Sequence, residues 1–181
     1  MKGAAVGMMG LSHHECHVLA LVQKWQPTTA YFLRKALTQR LASDASDSPG
    51  SVYPVIERLK RAGLVQSEEG GAGRRKSEFL TCTDDGAAAV RGWMVEIDQS
   101  ELLPSDPWRT RVPFLEALPA AERGAWFLTL RTAVSAELEK LERLREAATE
   151  LPSQLELEHA RLATTARLAW INEAIALLAS A

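Results

Sequence analysis

Between Gly50 and Lys76 the chain reads GSVYPVIERLKRAGLVQSEEGGAGRRK, and the spacing of its apolar residues leaves few folds open. Val52, Val55, Ile56 and Leu59 recur at i, i+3, i+4 and i+7, which places them on one face of a helix. Tyr53, Pro54, Glu57, Arg58 and Arg61 fall on the opposite face. Proline is tolerated in a first turn, where its missing N–H is not needed, so the helix has to start near Ser51 and run to about Ala62. Gly63 supplies the left-handed residue that ends it. Leu64 to Glu68 and Ser77 to Cys82 are short and partly alternating, as strands are, and Gly70, Gly71 and Gly73 between them suit a hairpin tip.

The flanking segments complete a pattern. Leu11 to Trp25 has helical spacing, with Ser12 as N-cap and Glu15 three residues later in a capping-box arrangement. Pro27 ends that helix. Thr28 or Thr29 caps a second one, running to about Ala42, with a stripe of Phe32, Leu33, Ala36, Leu37 and Leu41. Ser43 to Gly50 is a polar turn. After the second strand, Thr83-Asp84-Asp85 caps a fourth helix through about Ile97, its acids favourably placed against the helix dipole. The order is helix, helix, helix, strand, strand, helix, which is that of a winged helix-turn-helix. The expected fold is mainly α with a small β-wing, and residues 1–97 form its first domain.

Residues 98–112 read as a linker, and 113–181 as an all-helical second domain. Phe114 to Leu118 is a short apolar piece. A long helix spans Ala120 to Glu150 and Pro152 breaks it. Another spans Ser153 to Ala181. The stripes Trp126, Phe127, Leu130, Val134, Leu138, Leu141, Leu144 and Ala148, then Leu155, Leu162, Leu168, Ala169, Ile171, Ile175 and Leu178, exceed what one small domain covers. Burying them is worth about 25 cal/mol per Å², and the simplest cover is a second copy. A homodimer is expected, with Val134, Leu138, Leu141, Leu144, Leu162, Leu168, Ile171 and Ile175 at its seam.

Charge is unevenly spread. The 181 residues carry a net charge of −2. Residues 34–76 nevertheless hold nine Lys or Arg against five acids, whereas residues 101–181 hold nine against twelve. Hydrophobic content of 46% with 24% charged residues is that of a globular chain. Apolar runs stay short of the roughly 20 residues that cross a bilayer, and the N-terminus makes a poor signal peptide, so a cytoplasmic protein is expected. Cys16 and Cys82 form neither a disulfide framework nor a metal spacing. His13 and His17 share a helical face, but zinc needs three or four ligands. A polar first-helix face is the reading for His13, His14, Cys16 and His17, and neither metal nor cofactor is expected.

These features suit double-stranded DNA. Arg58 and Arg61 can bond guanine edges, and Glu57 can accept from cytosine. Ser51 and Tyr53 are placed for phosphates near the helix start. Arg74, Arg75 and Lys76 on a glycine hinge suit phosphate or minor-groove contact. Lys60, nearer the apolar boundary, is the weaker candidate. Trp93, Trp108, Trp126 and Trp170 are candidates for an aromatic or apolar effector pocket. No nucleophile elbow or phosphate-binding loop is present, and an enzyme is not expected. The alternative is a winged-helix protein-interaction module whose wing takes an acidic partner. A small-molecule binding or transport protein is a third reading.

The same residues resemble the PadR family of transcriptional regulators. Ser51, Tyr53, Pro54, Leu59, Gly63, Leu64, Val65, Thr83, Gly86 and Trp93 match its pattern, and RVPFLEALP at 111–119 and LAWINEAI at 168–175 resemble its dimerisation-domain signatures. The resemblance implies a dimeric transcription factor, usually a repressor, released from DNA by a small molecule. The two-fold dimer expected from the apolar stripes would itself call for an inverted-repeat operator.

Overall fold

The computed structural model describes residues 10–38, 52–70, 77–97, 102–103 and 106–180. The chain divides into two compact units, Met1–Leu102 and Leu103–Ala181.

The first unit contains α1 (His13–Trp25), α2 (Ala30–Thr38), α3 (Val52–Arg61), β1 (Val65–Gly70), β2 (Ser77–Cys82) and α4 (Asp84–Val95). It is the mainly α arrangement with a two-stranded wing. The capping box at α1 forms as expected, with Ser12 Oγ accepting from the Glu15 N–H and Glu15 Oε2 accepting from the Ser12 N–H at 2.7 Å. The expected polar face on α1 is corrected: His14, Cys16 and His17 are buried together with Val18, Leu19, Leu21 and Val22. The cause is topological. α2, α3, α4 and β2 all contact α1, and a helix covered on several sides buries most of its circumference.

Thr29 caps α2 by accepting from the Phe32 N–H at 3.3 Å. Thr28 instead forms an isolated antiparallel bridge with Leu80. Leu33 and Leu37 are buried, but Phe32 is half exposed, its ring edge-on to Trp25 at 5.3 Å. Leu41 lies outside the described residues. α3 buries Val52, Val55, Ile56 and Leu59 as its spacing requires. At its end Gly63 takes φ +72°. The Gly63 N–H donates to Lys60 O and the Leu64 N–H to Leu59 O, each at 3.0 Å, the paired bonds of a Schellman stop. The wing pairs β1 and β2 in register from Val65 opposite Cys82 to Gly70 opposite Ser77.

The second unit contains α5 (Pro107–Arg111), a 3₁₀ segment (Val112–Ala117), α6 (Ala120–Ala147) and α7 (Leu151–Ser180). Pro107–Arg111, within the stretch read as linker, is helical because Asp106 caps it and Pro107 fits its first turn. Pro152, expected to break the long helix, lies in the first turn of α7, and α6 already stops at Ala147. α6 and α7 pack against each other. Phe127, Val134, Leu141, Leu157 and Ile171 are buried in this unit. The premise that these stripes need a second copy is therefore corrected in part. Val134, Leu141 and Ile171 are covered by their own chain. Leu138, Leu168 and Ile175 are half-buried, and Leu144, Leu155 and Leu162 are exposed. No helix among the described residues is long and apolar enough to cross a membrane.

Candidate nucleic-acid interface

The outer face of α3 is a short polar ridge. Tyr53, Glu57, Arg58 and Arg61 are all exposed. At about 3.6 residues per turn, Arg61 and Glu57 stand opposite the buried stripe, and Arg58 and Lys60 occupy its two flanks. Each flank is tied to a neighbouring element. Arg58 Nε donates to Glu15 Oε1 of α1 at 2.6 Å. Lys60 Nζ donates to Glu78 Oε1 of β2 at 2.5 Å and to Glu57 Oε1 at 3.0 Å. Arg61 Nε donates to its own helix at Glu57 O, 3.3 Å away. Lys60, the weaker candidate in sequence, thus links the outer face of α3 to the wing. Ser51, Arg74, Arg75 and Lys76 lie outside the described residues.

These ties shift titrations. The Ser12 backbone N–H is the largest cause holding the Glu15 carboxyl below its usual value, and Arg58 adds to it. Lys60 holds Glu78 down, with help from the Ser67 side chain. Glu78 and then Glu57 push the Lys60 ammonium up.

A second cluster sets the pose of the wing against α3. Thr83 Oγ1 donates to the Gly63 carbonyl at 2.8 Å and accepts from the Gly86 N–H at 3.1 Å, while the Thr83 N–H donates to Leu64 O at 3.1 Å. Gly86 is buried against that turn. A Cβ on it would lie 2.2 Å from Leu64 O and 2.7 Å from Cys82 Sγ. The Thr-x-x-Gly spacing therefore has a mechanism: one hydroxyl joins the end of α3 to the start of α4, and the missing side chain lets them meet. On the other side of the sheet's second strand, Thr28 and Leu80 exchange backbone bonds of 3.1 and 2.7 Å, and Gln26 Oε1 accepts from the Cys82 N–H at 2.7 Å.

Sequence reading missed Glu15 and Glu78 as partners of this face, because neither pairing is local. It also passed over the exposed side of α2, where the Arg34 guanidinium stands 5.6 Å over the Tyr31 ring. The available signal was Tyr31 and Arg34 at i, i+3.

The four candidate tryptophans divide between the two units. Trp93 is in the first unit, edge-on to His13 at 5.3 Å. Trp108 of α5 and Trp170 of α7 lie nearly parallel, 11° apart, with centroids at 6.4 Å. Phe127 meets Trp170 edge-on and contacts Trp126. A cavity of about 400 Å³ is lined by Trp108, Val112, Pro113, Trp170 and the charged Asp106 and Arg167. Asp106 Oδ1 caps α5 through the Trp108 and Arg109 N–H groups, and its Oδ2 pairs with Arg167 Nη2 at 2.8 Å. Burial raises the Asp106 carboxyl, but those backbone bonds and Arg167 together hold it below its usual value. The Arg167 guanidinium in turn stands 5.2 Å over Trp108, a cation–π contact. Trp126 borders a separate cavity with Phe114, Leu115 and Leu118. Among the described residues no group of three or more His, Cys, Asp or Glu could hold a metal ion. Burial pushes both cysteine thiols up, away from the reactive thiolate.

Residues 18–92 match the model of the transcriptional regulator PadR-like family. No curated protein matches the chain. Among solved structures, Bacillus subtilis PadR in complex with operator DNA is similar with a TM-score of 0.76 at 17% identity, over 91% of this chain and 98% of that one. The same Bacillus subtilis protein in complex with p-coumaric acid gives 0.69 at 17% identity, over 91% and 94%. The Vibrio cholerae virulence activator AphA gives 0.68 at 15% identity, over 92% and 98%. At these identities the likeness is one of fold, and it covers both units.

Proposed function

Because residues 18–92 form a PadR-like domain, we propose that the chain is a sequence-specific DNA-binding regulator of transcription. In this reading residues 1–97 bind DNA, residues 113–181 pair two copies, and the dimer represses from an inverted-repeat operator until a small molecule releases it. The observation that carries the reading is the outer face of α3, which exposes Tyr53, Glu57, Arg58 and Arg61, with Glu15 and Glu78 paired to Arg58 and Lys60 on its flanks. A helix presented this way fits a major groove, where arginine pairs with guanine and a carboxylate accepts from cytosine. Ser51 is the candidate for a phosphate contact, and Arg74, Arg75 and Lys76 for phosphate or minor-groove contact. The operator-bound Bacillus subtilis relative supports the DNA partner, and its complex with p-coumaric acid supports an aromatic effector. Here the Trp108–Trp170 cavity is the seat for such a molecule. The reading assigns no enzymatic activity.

A mobility-shift assay on DNA upstream of the protein's own gene and its neighbours tests this. The expected result is preference for one inverted repeat, with affinity falling steeply as salt rises. Binding to an acidic protein, with no preference among DNA sequences, would favour the interaction-module reading instead.

A further inference from the structure

Glu15 serves two helices with two different oxygens. Oε2 accepts from the Ser12 N–H at 2.7 Å and from the Ser12 hydroxyl at 2.9 Å, closing the capping box of α1. Oε1 accepts from Arg58 Nε at 2.6 Å, 43 residues further along the chain. The capping box needs one acceptor oxygen only, so local helix chemistry leaves the second oxygen unexplained. The pair is also asymmetric in burial. The Glu15 side chain is 12% exposed and that of Arg58 is 49% exposed. The carboxylate is therefore the fixed member, anchored at the start of α1, and the guanidinium is the presented one.

Guanidinium is a rigid planar fork. Once its Nε–H is held, the plane of the group is set. The two terminal amino groups remain a coplanar pair of donors, which suits guanine O6 and N7. An arginine fixed in advance also loses less side-chain freedom when it binds. We propose that Glu15 is a positioning residue for base recognition, holding Arg58 so that its terminal amino groups read one guanine in the major groove. This rests on the DNA-binding reading above.

The competing roles are a brace between α1 and α3, or a lock that keeps Arg58 off DNA, and they move different quantities. The full-length chain would first be used to select its preferred half-site from randomised duplexes. Binding constants would then be measured on that site and on its single-base variants for wild type, Arg58→Ala, Glu15→Ala, Glu15→Gln, Ser12→Ala and the double variant Glu15→Ala/Arg58→Ala. Arg58→Ala and Glu15→Ala are expected to lose preference at the same base pair by about tenfold. The double variant should lose no more than Arg58→Ala alone, since the two residues act in series. Glu15→Gln, which keeps an acceptor, should retain more of the preference than Glu15→Ala. Ser12→Ala, which removes only a hydroxyl from the other oxygen, should keep it. A Glu15→Ala protein that weakens on all sequences alike, or tightens on all alike, overturns the inference, and so does unchanged preference. Should Glu15→Ala fail to fold, Glu15→Gln against Ser12→Ala gives the same decision. A wild-type chain that selects no sequence overturns the DNA-binding reading itself.

Discussion

Gly86→Ala tests the junction that joins the wing to the end of α3. The added methyl would start 2.2 Å from the Leu64 carbonyl oxygen and 2.7 Å from Cys82 Sγ. The first neighbour is backbone and cannot rotate away, so α4 or the 63–64 turn must retreat by roughly 1 Å to reach ordinary contact. Retreat stretches the 2.8 Å bond from Thr83 Oγ1 to Gly63 O and the 3.1 Å bond from the Thr83 N–H to Leu64 O. Overpacking costs about 1–3 kcal/mol, and each weakened hydrogen bond up to about 1. Alanine returns about 1 through its higher helix propensity. The expected net loss is about 2 kcal/mol, within a span of about 0–4, and a large part of the roughly 5–15 that holds a domain. Gly92→Ala is the control, because it adds the same methyl to the same helix and meets nothing within 4 Å. It should gain about 0.5–1 kcal/mol. Urea dependence of amide-exchange protection in α1 and α3 reads this unit apart from the C-terminal helices. A Gly86→Ala protein as stable as wild type, or as stable as Gly92→Ala, would refute the close-approach argument.

Stability of the first unit should also depend on pH at both ends. Glu15 and Glu78 have carboxyls held below their usual 4.5, so their contribution is complete above that value and is lost as pH falls through the lowered range. Lys60 is held above its usual 10.5, so its contribution is complete below that value and is lost as pH rises through the raised one. Glu78→Gln should flatten the acid limb of a melting-temperature series, and an unchanged limb would count against the pairing. In the second unit, Leu141→Glu puts a charge into a site 3% exposed and should unfold the α6–α7 hairpin, visible as lost helical circular dichroism. Leu162→Glu, at a position 54% exposed, should keep the helices and dissociate the proposed dimer in light scattering; a folded, still dimeric Leu162→Glu protein would move the seam elsewhere. Aromatic acids should quench tryptophan fluorescence and lower operator affinity together, since linked equilibria shift together. Trp170→Leu should remove the quenching, and quenching that persists would exclude the Trp108–Trp170 cavity.

Local chemistry was the legible part of this chain. Ser12 and Glu15, the stripe of α3, Gly63 as a left-handed stop and Thr83 as a cap each act within a few residues, so spacing alone reveals them. Asp106 followed by Pro107 is equally local, a cap and a first-turn proline inside the stretch that reads as a linker. What spacing could not reveal depended on long-range contacts. His14, Cys16 and His17 look polar in sequence but are buried because four elements surround α1. Spacing shows neither the Glu15 partner of Arg58, 43 residues away, nor the His13 ring beside Trp93. Val134, Leu141 and Ile171 read as a seam between copies because periodicity marks a buried face without saying which partner covers it.

Operator affinity as a function of salt, measured by fluorescence anisotropy for wild type, Arg61→Ala and Arg75→Ala, bears most directly on the claim that α3 and the wing bind DNA. Arg61→Ala should cost about 1–3 kcal/mol on the operator and relax preference at one base pair. Arg75→Ala should weaken binding to all sequences alike and flatten the slope of log K against log salt by about 1. Affinities for both variants within about twofold of wild type, at every salt concentration, would contradict the account.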